Sequence, residues 1–62
     1  MLRELDERIS DGGKLRVRLF WDTETDRVYL RVDDDREPTR LWTKEIRRER
    51  AREAFSHPFA VV

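Results

Sequence analysis

From Leu15 to Trp21 the chain alternates: Leu15, Val17, Leu19 and Trp21 take the odd positions, and Arg16 and Arg18 lie between them. A period of two is that of a strand with one face buried. Val28, Leu30 and Val32 repeat the alternation on even positions, after the polar, turn-prone stretch Asp22-Thr23-Glu24-Thr25-Asp26. For both apolar faces to point the same way, the numbers of directly opposed residues must sum to an odd value. A sum of 49 sets Trp21 against Val28, Leu19 against Leu30 and Val17 against Val32. It also pairs Asp22 with Arg27 and Arg16 with Asp33, two opposite-charge pairs. The pattern predicts an antiparallel hairpin in that register.

The flanking segments read differently. Leu2, Leu5 and Ile9 recur at helical spacing, and Ser10-Asp11-Gly12-Gly13 supplies a stop, which predicts a short N-terminal helix weakly held by three apolar residues. Asp33 to Pro38 is charged and ends in proline, so the second strand stops there. Residues 39–43 are a candidate third strand. Thr43 is a candidate N-cap for a helix from Lys44 to about Ser56, ended by Pro58. On that helix Ile46, Ala51, Ala54 and Phe55 form an apolar arc, with Arg47 and Arg50 inside it. The expected fold is α+β, a single small domain over 1–62. A hairpin or three-stranded antiparallel sheet packs on the C-terminal helix. The expected core is Leu15, Val17, Leu19, Trp21, Val28, Leu30, Val32, Leu41, Ile46, Ala54 and Phe55.

Composition narrows the function classes. Sixty-two residues contain no cysteine, which removes disulfides and thiolate metal cages. Charged residues are 45% of the chain, but 14 Lys and Arg balance 14 Asp and Glu, which argues against a strongly basic nucleic-acid binder. The first residues, MLRELDERIS, lack the apolar core of a signal peptide, and no apolar run reaches membrane length. The expected location is the cytoplasm, with no membrane partner.

Motifs for chemistry fail on inspection. Asp22, Glu24 and Asp26 take the spacing of the first three ligands of a calcium loop, but Arg27 stands where its glycine is required. Gly12-Gly13-Lys14 lacks the rest of a phosphate loop. Ser56 and His57 are sequence neighbours, which is no nucleophile–base arrangement. The expectation is a non-enzyme with no metal, cofactor or small-molecule ligand.

Surfaces remain. In the hairpin register Phe20 faces Tyr29 on the outer side, beside Arg18 and Arg31, and these four are the candidate partner-binding residues. Aromatics among arginines on a sheet either take a second protein layer or stack the bases of a single strand. Arg18 directly opposes Arg31, an unfavourable pair unless a carboxylate intervenes, from Glu4, Asp6, Glu7 or a partner. Arg47, Arg48, Arg50 and Arg52 are the alternative surface for phosphate or nucleic acid. His57 is placed to meet the helix's last carbonyls as a cap, or to act as a pH-sensitive group. Phe59, Val61 and Val62 are expected to fold the tail back over the sheet.

The stretches RVRLFWDTETDRVYLRVDD and AREAFSHPFAVV together resemble short proteins of uncharacterised function found in actinobacteria. Those share a hairpin ending in aspartates and a tail close to D-A-F-x-H-P-F/Y-A-Y. This chain departs from the tail pattern at Glu53 and Val61, and its middle segment is more charged. The resemblance implies a compact unit of hairpin and helix, and carries no activity. The function expected is that of a non-catalytic protein-interaction module, binding a protein partner or a second copy as a homodimer. The alternative is a nucleic-acid-binding accessory protein, whose affinity would fall steeply with salt.

Overall fold

The computed structural model describes residues 1–60. Its β2–β3 hairpin holds the 49-sum register along its whole length, from Leu15 opposite Asp34 to Asp22 opposite Arg27. Strand β2 covers Leu15–Asp22 and β3 covers Arg27–Asp34. Their turn is closed by the Asp26 N–H donating to the Asp22 carbonyl at 2.8 Å, with Asp26 in the left-handed region at φ 61°. Aspartate tolerates that conformation better than most side chains.

Two strands flank the hairpin, giving a four-stranded antiparallel sheet in the order β1-β2-β3-β4. Strand β1 is Leu2–Ser10, where helical spacing predicted a helix. The cause of the difference is a bulge between Glu4 and Asp6. One extra residue shifts the parity of a strand, so Leu2 and Ile9, seven apart, reach the same face while Leu5 goes to the other. Three apolar residues on two faces thus mimic one helical stripe. The link to β2 passes through Asp11, Gly12 and Gly13, all at positive φ. Gly13, at φ 89°, sits where a β-carbon is strained.

Strand β4 is Arg40–Ile46, which absorbs the expected third strand and the first residues of the expected helix. Thr43 is therefore in mid-strand, paired with Arg31, and caps nothing. Lys44 and Glu45 favour helix intrinsically, but β3 would otherwise leave its second edge unpaired, and pairing Ile46 with Val28 completes the ladder. A single 3-10 turn over Arg48–Arg50 leads into the six-residue helix α1, Ala51–Ser56. The helical arc containing Arg47 and Arg50 does not exist.

One face of the sheet carries the core: Leu15, Val17, Leu30 and Val32, with Ala54 of α1 pressed on them and Leu19, Trp42, Ile46 and Phe55 around the rim. Alanine at 54 lets the helix backbone approach the sheet closely. Leu41, expected inside, is 63% exposed, because β4 alternation turns Trp42 inward in its place. Phe59 meets the Trp42 ring edge-on at 6.5 Å, while Val61 and Val62 lie outside the described residues. Among the described residues no helix is long and apolar enough to cross a membrane.

Leu30 is fully buried. Leu30→Ala should lower unfolding free energy by about 2–5 kcal/mol in urea titration, whereas Leu41→Ala should change it by no more than about 0.5 kcal/mol.

Candidate protein-interaction surface

Alternation sends Arg16, Arg18, Phe20 and Asp22 of β2 to the face opposite the core. Arg27, Tyr29, Arg31 and Asp33 of β3 join them there. From β1 come Leu2, Glu4, Glu7 and Ile9, and from β4 come Leu41, Thr43 and Glu45. Among the described residues no helix or turn packs on this outer face. Phe20 and Tyr29 pair at its centre, as the hairpin register required. With Leu2, Arg18, Arg31 and Thr43 they line a shallow depression of ≈ 490 Å³. Leu2, Ile9 and Leu41, at the margins, are 54%, 58% and 63% exposed.

The facing arginines are reconciled within the chain. Arg18 Nη2 donates to Asp33 Oδ2 at 3.0 Å and Arg31 Nε donates to Asp33 Oδ1 at 3.3 Å. The bridging carboxylate is thus Asp33, two residues along β3, in place of Glu4, Asp6 or Glu7. Its position two after Arg31 puts it on the same face, a signal present in the sequence. Glu7 pairs with Arg16, and Arg27 with Glu45 at 3.4 Å. Arg18 also lies over the Phe20 ring at 5.5 Å, and its buried Nε has no hydrogen-bond partner among the described residues.

The other arginine cluster belongs to the segment over the core face. Arg48 Nη1 donates to Asp26 Oδ2 at 2.7 Å, and Asp26 Oδ1 accepts from the Trp21 indole at 2.9 Å. Arg50 is joined to Glu53 at 3.2 Å. Arg47 and Arg52 are exposed. Structure therefore brings Phe20, Tyr29, Arg18 and Arg31 together and separates them from Arg47, Arg48, Arg50 and Arg52 by the thickness of the sheet.

His57 stands at the C-cap position of α1, its backbone N–H donating to the Glu53 carbonyl at 2.8 Å, and it is exposed. The helix's last carbonyls are taken by Arg8 of β1, which donates to Phe55 O at 2.8 Å and Ser56 O at 3.4 Å while covering the Phe55 ring at 5.7 Å. Parity across the bulge hid Arg8 from the sequence. A second arginine holds the tail from the other side. Arg36 forks onto Asp34 at 2.8 and 2.9 Å and covers the Phe59 ring at 5.5 Å. Arg8, Arg36, Ser56, His57 and Phe59 line a depression of ≈ 440 Å³.

No group of three acidic or histidine side chains converges among the described residues as a metal would require. Asp22 is occupied with its turn: the Glu24 N–H donates to it at 3.0 Å and holds its carboxyl below the ordinary range. No family model, curated protein or solved structure matches the chain.

Asp34 is 5% exposed, and the Arg36 guanidinium holds its carboxyl below the ordinary aspartate value of 3.8. The pair therefore stabilises the fold above pH 3.8 and is lost as pH falls through the lower native value. Asp34→Asn should lower the melting temperature at neutral pH and flatten its fall below pH 3.8, as read by circular dichroism.

Proposed function

We propose that the chain is a non-catalytic protein-interaction module that works through the outer face of its sheet. The observation that carries this reading is the uncovered face itself. It sets Phe20 and Tyr29 at its centre and three exposed aliphatic side chains at its margins, while its arginines are already paired with carboxylates of the same chain. Aromatic side chains with apolar surroundings are the usual anchors of protein interfaces. The module works in the cytoplasm. On this reading the chain is of one kind with the short actinobacterial proteins that its hairpin and tail resemble.

A nucleic-acid surface needs guanidiniums free to replace counterions. Arg48 and Arg50 are engaged with Asp26 and Glu53, Arg18 and Arg31 share Asp33, and net charge is zero. Fluorescence anisotropy with labelled single-stranded DNA and RNA at about 50 mM salt tests this. Expected is no saturable binding. Micromolar binding that falls steeply with salt and is lost on replacing Arg47, Arg48, Arg50 and Arg52 by alanine would overturn the reading.

A further inference from the structure

We propose that the occupant of the outer face is a second copy of this chain, stacked across a two-fold axis that runs between the sheets, perpendicular to the strands. This rests on reading that face as protein-binding. The molecule measures 35 × 22 × 16 Å, so along its thin direction it is one sheet with a partial second layer. Sheets complete a domain by packing on another layer, and among the described residues the outer face has none.

The order of residues on the face says what that layer is. Cross-strand neighbours form rows. One outer row reads Glu4, Phe20, Tyr29, Glu45, and the next reads Glu7, Arg18, Arg31, Thr43. A two-fold axis between these rows exchanges them. Phe20 then lies over the partner's Arg18 and Tyr29 over the partner's Arg31, each an aromatic face beneath a cation.

The same rotation exchanges the outermost rows. Leu2 falls on the partner's Ile9, Asp22 on the partner's Arg16, and Arg27 on the partner's Asp33. One overlay is of like charge, Glu4 on the partner's Glu7, at the edge strand where Glu7 is already held by Arg16. Arg18 and Arg31 stay bound to Asp33 through their nitrogens, and it is their guanidinium faces that meet the partner's rings.

The bulge in β1 is what makes the Leu2–Ile9 contact available, since without it the two would face opposite ways. The face spans about 25 Å along the strands and about 19 Å across them. That is a projected area of roughly 475 Å² per copy, which side-chain relief raises to the low end of specific interfaces. Aligned stacking of two such sheets is an established packing geometry.

Light scattering after size exclusion should give twice the 7.6 kDa chain mass, and Phe20→Glu should return the mass to that of one chain. The chain has no cysteine, so cross-linking reads the geometry directly. An equimolar mixture of L2C and I9C, two exposed positions, should form a disulfide-linked dimer with oxidised glutathione. Either variant alone should not, because its two sulfurs lie at opposite ends of the interface. A wild-type monomer at the highest soluble concentration overturns the proposal. A dimer that survives Phe20→Glu, or that cross-links as readily with one variant as with the mixture, overturns it by placing the contact elsewhere. Each result is independent of the nucleic-acid assay, whose variants at Arg47, Arg48, Arg50 and Arg52 lie across the sheet from this face, so failure of the dimer and failure of the protein-binding reading are told apart.

Discussion

Val17, Leu30 and Val32 are fully enclosed between the sheet and Ala54, and the arrangement of every other element follows from keeping them so. Val17 opposes Val32 and Leu19 opposes Leu30, so one register buries all of them together. A slip of one residue would turn the set outward. Ala54 is the lid. Its small side chain brings α1 close, and six residues of helix then shield the centre of a four-stranded sheet.

That enclosed volume is small, and charged side chains extend it. Arg8 and Arg36 lay their stems and guanidinium planes over Phe55 and Phe59 while their nitrogens bond helix-end carbonyls and a buried aspartate. Asp26 joins the Trp21 indole to Arg48. Arginine suits this role because its apolar stem packs while its planar head keeps several hydrogen bonds. The many arginines thus act largely as a rim to the core, and a charged fraction of 45% is compatible with a folded chain.

What was legible in the sequence was whatever depended on two-residue parity. The hairpin, its register and the meeting of Phe20 with Tyr29 all followed from alternation and charge pairing. Strand β1 was hidden because a bulge breaks parity, and a broken alternation of three apolar residues is indistinguishable from a helical stripe. Strand β4 was half hidden, since Lys44 and Glu45 prefer helix and were overruled by the open edge of β3. Leu41 and Trp42 exchanged roles because a strand turns only one of two neighbours inward, and the pairing of Trp42 with Val32 decides which. The helix cap was invisible: Arg8 and Phe55 are 47 residues apart, and nothing local connects them.

That 47-residue separation also orders the assembly of the chain in time. The pairings β1–β2, β2–β3 and β3–β4 join neighbours and close short loops, which costs little chain entropy. The bonds from Arg8 to Phe55 and Ser56 at the end of α1 close longer loops than any of these pairings. A chain emerging during synthesis can therefore zip its meander strand by strand, while Arg8 waits for its carbonyls until the helix has been made. Of the four strands, β1 is thus the one whose side-chain anchor lies farthest along the chain.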